Sequence, residues 1–369
     1  MSAINGKTDH MTEALRGILK QASGKGGSPA VGYSCPTFPI EIIRALGLRP
    51  VRMASGGISP EDESRGEMMV RSDACSYCKG LLGLLSRKDR SDALIAYVIS
   101  ASCDQMRRTA ERISREQNTP VALISFPTTR TESAFGYFLD QLRLATAELE
   151  QASGRHLDME ALRGEIGQSR AVAHAMTHAE ESAPERPLDR WLLARIAESV
   201  SAGELLRIAG EYFPESKGAL RQGGVLWIGS AYFPAEPVEL EILQNKGIPV
   251  WDFSCSVTAP YKIDLADAAG ADDPFVALAR AYFEYSSCPR VRPMEAFLAR
   301  LNVTVAQRSP KGIIVFSLPF CDNWKIVPGI LREEHHIPVL SLDGNYSPSV
   351  LERTRTRIEA FLEMIGSTR

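Results

Sequence analysis

Short runs of apolar and β-branched residues alternate along this chain with longer stretches in which apolar residues recur at helical spacing. Such alternation is typical of βαβ units and predicts an α/β fold built on mostly parallel sheets. The predicted strands fall at 30–34, 50–53, 93–100 and 120–126 in the first half, and at 225–230, 249–254, 312–318 and 338–342 in the second.

The middle of the chain, from about 133 to 218, has no strand pattern. Apolar residues from Phe138 onward recur at helical spacing in a segment that ends at Gly154. Two further amphipathic segments follow, and Pro184 and Pro187 separate them. We therefore predict four parts: an N-terminal helix and linker (1–28), a first α/β domain (29–132), a helical connector (133–218) and a second α/β domain (219–369).

The two α/β halves read as repeats of each other. The segments starting at Pro39 and at Pro237 share one pattern. Each predicts a helix that ends at a glycine, followed by a strand that begins at Pro-Val. A longer match pairs ALIAYVISASCDQMRRTAERISREQNTPVALISF with GIIVFSLPFCDNWKIVPGILREEHHIPVLSLD. In both, a buried strand ends in Cys-Asp, a helix follows, and a second strand opens with Pro-Val. Cys103 and Cys321 thus occupy equivalent positions at strand ends.

These equivalent cysteines are expected to face a common cleft between the two domains. Ligands of open α/β sheets bind beyond the carboxyl ends of the strands, and both Cys-Asp turns lie there. Cys75 opens a predicted helix, where the dipole and free N–H groups stabilise a thiolate. With the three other cysteines at element ends, six in all are predicted to face the cleft: Cys35, Cys75, Cys103, Cys255, Cys288 and Cys321.

Composition narrows the possible partners and the compartment. Hydrophobic residues make up 44% of the 369 residues and charged residues 24%, as in a globular protein with a sizeable core. The 42 basic and 45 acidic residues give a net charge of −3, too balanced to favour nucleic acid or an anionic membrane. No apolar run of about eighteen residues occurs, and the first residues lack the apolar region of a secretory signal. The sequence predicts a cytoplasmic protein.

The seven cysteines favour metal or redox chemistry over disulfides. Their number is odd, their spacing is wide, and cytoplasmic proteins rarely hold disulfides. A free cysteine can also be a small buried apolar residue, and Cys78 fits that interpretation best. Structural zinc usually needs two close pairs of ligands, but only Cys75 and Cys78 have that spacing. Iron–sulfur clusters accept widely spaced thiolates and are the preferred interpretation.

The glycine-rich segment 23–28 does not match a phosphate-binding loop. It lacks the G-x-x-x-x-G-K-[ST] order and has no strand before it. We interpret it as a linker.

Several segments together resemble the iron–sulfur subunits of 2-hydroxyacyl-CoA dehydratases and benzoyl-CoA reductases. The resemblance runs from about residue 32 to 365, and its carriers are GYSCPTFPIEIIRALGLRPVRM, ACSYCKGLLG, SCDQMRR, FLDQLRLATAELEQASGRHLDMEALRGEI, FCDNW and IPVLSLDGNYSPSVLERTRTRIEAFLEMI. It implies two Rossmann-like domains with parallel sheets, and a [4Fe–4S] cluster in the interdomain cleft held by Cys75, Cys103 and Cys321. The open fourth iron would act on an acyl-CoA thioester as a Lewis acid.

The same resemblance implies partners. The chain would pair with a homologous second subunit or with a second copy of itself. It would receive low-potential electrons from a separate ATPase activator that carries its own [4Fe–4S] cluster. Ser34 and Glu41 lie near the predicted cleft and are weak catalytic candidates.

Two alternatives remain at this stage. Some family members resemble double-cubane proteins, reductases of small molecules in which six cysteines hold an [8Fe–9S] cluster. In that branch Cys35, Cys255 and Cys288 would join the three other ligands. The second alternative is an electron-transfer protein that carries a cluster without acting on a substrate.

Overall fold

The structure, a computed structural model, describes residues 2–23, 29–87, 94–116, 118–214, 221–285, 288–290, 294–346 and 348–367. Most of the predicted glycine linker, at 24–28, lies outside the described residues. So do residue 93, where the third predicted strand starts, and residues 215–218 at the end of the predicted connector.

Four parallel strands form the first sheet. They are β1 (Ala30–Tyr33), β2 (Arg49–Arg52), β3 (Leu94–Ser100) and β4 (Val121–Ile124), in the order β2-β1-β3-β4. Strands that are consecutive along the chain are joined through helices and loops, as parallel pairing requires. Each strand lies within one or two residues of its predicted place.

The second sheet repeats the first. Its strands β5 (Val225–Gly229), β6 (Val250–Asp252), β7 (Gly312–Ser317) and β8 (Val339–Asp343) are parallel and follow the order β6-β5-β7-β8. Strand for strand this is the arrangement of the first sheet. The predicted α/β fold with two parallel sheets is confirmed, and the internal repeat extends to the strand order.

Helices surround the two sheets. In the first half they are α1 (Ser2–Ser23), α2 (Ile40–Ala45), α3 (Pro60–Glu67), α4 (Ser76–Leu85) and α5 (Asp104–Glu116). In the second half they are α10 (Val238–Asn245), a short 3₁₀ helix (Ala259–Lys262), α11 (Pro274–Glu284), α12 (Met294–Arg308), α13 (Asp322–Lys325), α14 (Val327–Glu334) and α15 (Pro348–Ser367). No helix in the described parts of the chain is long and apolar enough to cross a membrane.

Between β4 and β5 the described chain is entirely helical apart from turns. The helices are α6 (Glu132–Ser153), α7 (Met159–Ser182), α8 (Pro187–Ala197) and α9 (Ala202–Tyr212). Gly154 ends α6 in the left-handed conformation with φ of 66°, which glycine adopts without steric cost. The predicted break between two of these helices lies where Pro187 starts α8.

The halves of the chain cross-pack, which the periodicity does not predict. Helix α11 belongs to the second half, yet it closes the apolar core on the outer face of the first sheet. Its Phe283 stacks on Phe138 of α6, with ring centroids 6.0 Å apart. The other face of the first sheet shares a core with the second sheet. Neither sheet is therefore buried by its own half of the chain alone.

Helices α3 and α4 approach each other backbone to backbone, and this contact positions the start of α4. A Cβ at Gly66 would overlap the carbonyl oxygen of Lys79, and a Cβ at Gly83 would overlap that of Asp62. The buried Lys79 also reaches back, because its Nζ donates to the backbone oxygen of Ser72 at 2.8 Å. The loop that leads into α4 is thereby tied to the helix that follows it.

We expect Gly83→Ala to lower the free energy of unfolding by about 2 kcal/mol, because the added methyl group must push α3 and α4 apart. The matched control is Gly167→Ala on α7, where an added Cβ meets no atom within 4 Å. There the better helix propensity of alanine should raise the free energy of unfolding by about 1 kcal/mol. Urea unfolding of both variants measures the difference, and equal effects would contradict the tight packing.

Candidate functional site

Three of the cysteines predicted at strand ends follow strands that flank the point where each sheet reverses its winding order, and a fourth follows an edge strand. In the first sheet Cys35 follows β1 and Cys103 follows β3, the two strands that flank the reversal. In the second sheet Cys321 follows the equivalent strand β7, and Cys255 follows β6. A crevice opens at such a reversal because neighbouring connections leave on opposite faces, so ligands of α/β folds bind there.

Cys75 caps the N-terminus of α4, as the sequence predicts for a stabilised thiolate. Interaction with the Cys78 thiol, together with the free backbone N–H groups of Tyr77 and Cys78, lowers the pKa of Cys75 to about 7. The backbone N–H of Cys75 donates to the side-chain oxygen of Gln105. Since Gln105 lies in the first turn of α5, directly after Cys103, this bond joins the positions of Cys75 and Cys103.

Cys78 lies beside Cys75, with Met106 as its other neighbour. Its Sγ lies 3.6 Å from the Sδ of Met106, inside the apolar core. The neighbouring Cys75 and burial raise the pKa of the Cys78 thiol well above its usual range. A thiol held neutral in the core is a packing residue, which agrees with the interpretation of Cys78 as a small apolar side chain.

Cys321 is held in place by a strained residue before it and an anchored helix after it. Phe320 has a φ of 62°, a conformation that residues with a Cβ rarely adopt, and its side chain is 52% exposed. After Cys321, Trp324 of the short α13 packs edge to face on Phe297, with ring centroids 5.6 Å apart. The strain is retained because it turns Cys321 into the protein, where its side chain is buried.

Arg290 joins these cysteines electrostatically. Its Nη2 donates to the Sγ of Cys321 at 2.9 Å. Burial by itself lowers the pKa of Arg290, but nearby cysteines more than offset this and raise it well above its usual range. The cysteines that stabilise its charge are Cys288, Cys321, Cys103 and Cys75.

The three remaining cysteines line a separate cavity with Arg290. Cys35, Cys255 and Cys288 lie in its wall beside apolar side chains such as Phe126 and Ile263. Burial raises the pKa of Cys288 to about 12 and also raises that of Cys255, so both thiols are neutral in the protein alone. The structure thus divides the six cysteines into two sets of three, with Arg290 next to both.

A buried ionic network fixes the position of Cys255 relative to the first sheet. Arg52 at the end of β2 donates to the backbone carbonyl of Cys255 at 2.8 Å. Arg52 and Arg195 share the carboxylate of Glu198, at 3.5 and 3.1 Å. Both guanidinium groups lie 4.6 Å from the centre of the Phe233 ring. The network therefore joins the first sheet, the central helices and the second half of the chain.

The donor set fits an iron–sulfur cluster better than a single metal ion. Among the described residues, no three Cys, His, Asp or Glu side chains converge as ligands of one ion. A cluster takes one thiolate per iron, so its ligands need not converge. The Nε of Arg290 is buried and has no hydrogen-bond partner among the described residues, which leaves a donor for an anionic group beside the cysteines.

The two weak catalytic candidates have partners within the fold. The hydroxyl of Ser34 accepts a hydrogen bond from the backbone N–H of Ser100 at 3.0 Å and so joins the ends of β1 and β3. The carboxylate of Glu41 accepts from the Tyr282 hydroxyl at 2.9 Å and so joins α2 to α11. Both contacts join elements of the fold.

Sequence reasoning missed Arg290, Gln105 and Arg52. Arg290 follows Cys288 by two residues, and a cation so close to a candidate ligand is a signal that the sequence contains. No comparable signal marks Gln105 or Arg52, because their contacts join segments that are far apart in the chain.

Comparison with known proteins gives consistent matches over nearly the whole chain. The family model described as 2-hydroxyglutaryl-CoA dehydratase, D-component, matches residues 35–365. The chain is 24% identical over 364 residues to the lactoyl-CoA dehydratase subunit beta of Anaerotignum propionicum, covering 94% of this chain and 93% of that protein. It is 23% identical over 382 residues to the dehydratase subunit YjiM of Escherichia coli (strain K12), covering 92% of each.

We expect Phe320→Gly to be more stable than Phe320→Ala by about 1 kcal/mol, because only glycine adopts this φ without steric cost. The matched control is Tyr137, which is 48% exposed on α6. At that helical position the glycine variant should be less stable than the alanine variant by about 1 kcal/mol. Thermal and urea unfolding of the four variants measures both differences. The same sign at both positions would contradict the strain before Cys321.

Proposed function

Because the chain belongs to the family of the 2-hydroxyglutaryl-CoA dehydratase D-component, we propose that it is the iron–sulfur subunit of a dehydratase that acts on a 2-hydroxyacyl-CoA thioester. The family is one of enzyme components, so the chain is a subunit of an enzyme that works with another component. The cluster, the electron donor and the substrate class are parts of the proposal.

The observation that carries the proposal is the grouping of Cys75, Cys103 and Cys321 around one arginine. They come from three separate segments, and Arg290 contacts Cys321 and interacts electrostatically with Cys75 and Cys103. The thiolate is the form of cysteine that binds iron. A helix N-terminus or a neighbouring guanidinium stabilises this form. We propose these three as ligands of a [4Fe–4S] cluster.

Three protein thiolates would leave one iron with an open position, and such a cluster would supply a Lewis acid for the thioester carbonyl. The residues of this chain hold and enclose the site. Gln105 holds the backbone at Cys75, and Trp324 anchors the helix that follows Cys321. Apolar side chains such as Phe126 and Ile263 line the neighbouring cavity.

The proposed partners follow from this chemistry. A homologous second subunit, or a second copy of this chain, would complete the enzyme. An ATPase activator with its own [4Fe–4S] cluster would deliver the electron. The sequence contains no G-x-x-x-x-G-K-[ST] motif of a phosphate-binding loop.

A second candidate is a double-cubane reductase of small molecules, and one observation favours it. Cys35, Cys255 and Cys288 line a single cavity, and Arg290 lies between that cavity and Cys321. Six cysteines in two neighbouring sets are the number and arrangement that an [8Fe–9S] cluster would require. The raised pKa values of Cys255 and Cys288 mean that both would have to lose a proton when iron binds.

We expect Cys103→Ala to lose most of the bound iron after anaerobic reconstitution, because a proposed ligand is removed. Cys103 is only partly buried, so its truncation should leave the fold intact. Cys78→Ala is the matched control and should retain its iron, since Cys78 is not a proposed ligand and its thiol packs on Met106 in the core. Iron and acid-labile sulfide are counted per chain. Equal iron in the wild type and Cys103→Ala, or bound zinc without sulfide, would contradict the cluster.

Counting iron and sulfide in Cys255→Ala distinguishes a single cubane from a double cubane. A single cubane predicts about four irons per chain in both the wild type and the variant. A double cubane predicts about eight irons in the wild type and a stable decrease in the variant. If the iron count does not change in the variant, Cys75, Cys103 and Cys321 are the complete set of ligands.

Spectroscopy distinguishes a dehydratase subunit from an electron-transfer protein that has no substrate. A dehydratase subunit with an open iron is expected to change its electron paramagnetic resonance spectrum when a 2-hydroxyacyl-CoA thioester is added. Fully ligated electron-transfer clusters have no open position, so their spectra should not respond to any thioester. Free CoA serves as the control for binding outside the site.

A further inference from the structure

We propose that Arg290 is a positioning residue that sets the reduction potential of the thiolate site through its hydrogen bond to the sulfur of Cys321. The inference rests on the proposed function, because it concerns the cluster that Cys75, Cys103 and Cys321 would hold. It assigns to this chain a residue that controls how readily the site accepts an electron.

The geometry places the guanidinium directly on a proposed ligand. Nη2 of Arg290 lies 2.9 Å from the Sγ of Cys321, a short distance for a hydrogen bond to sulfur. A charged donor makes a stronger hydrogen bond than a neutral one, and the planar guanidinium fixes its direction. Cys321 itself is buried, so water screens this contact little.

Arg290 also lies between the two sets of cysteines. It lines the cavity of Cys35, Cys255 and Cys288, while its end group reaches Cys321 on the other side. Among the described residues its guanidinium contacts the sulfur of Cys321 and pairs with no carboxylate. Arg52 differs, because Glu198 offsets its charge at 3.5 Å. Arg290 is therefore a cation whose charge acts directly on a sulfur that would ligate the cluster.

The expected effect follows from charge balance. A cubane held by three thiolates is negatively charged, and reduction adds a further negative charge. A fixed positive charge and a hydrogen bond to a ligand sulfur both stabilise the reduced form more than the oxidised form. Arg290 should therefore raise the reduction potential and make the site a better electron acceptor.

The test compares Arg290→Gln and Arg290→Lys with the wild type in the complete chain after anaerobic reconstitution. Arg332→Gln is the matched control, because it removes the same charge from an exposed side chain on α14 that donates to the backbone oxygen of Val339. Iron is counted first, and the midpoint potential is then measured by redox titration followed by electron paramagnetic resonance. Neither measurement depends on turnover.

We expect Arg290→Gln to shift the midpoint potential to a more negative value and Arg332→Gln to leave it unchanged. Arg290→Lys keeps the charge but loses the planar donor, so its potential should lie between those of the wild type and Arg290→Gln. If Arg290→Gln takes up no iron, the lysine variant carries the measurement. A wild-type potential in the glutamine variant, or in the lysine variant where that alone binds iron, would overturn the inference. A wild type that binds no cluster would instead overturn the proposed function.

Discussion

The arrangement of the site depends on a buried carboxylate shared by two arginines. Glu198 bridges Arg52 and Arg195, and Phe233 lies against both guanidinium groups. A buried ion pair stabilises a protein little in itself, but the loss of one partner costs about 3–5 kcal/mol because a charge is left uncompensated. The network therefore allows one relative position of the first sheet, the central helices and the loop of Cys255.

The two sheets have the same strand order, so the carboxyl ends of their strands occupy equivalent positions in the two halves of the chain. The winding order of the strands reverses between β1 and β3 in the first sheet and between β5 and β7 in the second. Cys103 and Cys321 therefore follow equivalent strands. The repeat is incomplete among the helices, since the long α5 that follows Cys103 corresponds to the short α13 that follows Cys321. A symmetric scaffold thus carries an asymmetric set of thiols. Arg290, which belongs to the second half, supplies the positive charge that both sets of cysteines share.

Near the site, tertiary packing overrides the conformational preferences of individual residues. Phe320 adopts a left-handed conformation directly before Cys321, and the glycines of α3 and α4 allow a backbone contact that no other residue would permit. Strain of this kind persists only where the surrounding packing holds it. Next to Phe320, the buried Trp324 supplies that packing.

The sequence by itself determined the eight strands, the break at Pro187, the end of α6 at Gly154 and the placing of cysteines at element ends. These features depend on local periodicity and on single-residue conformational limits, which can be seen without a partner segment. The division of the cysteines into two sets, the place of Arg290 and the packing of α11 on the first sheet were decided only by the tertiary structure. Each depends on contacts between segments far apart in the chain, and one sequence carries no record of which distant residues meet.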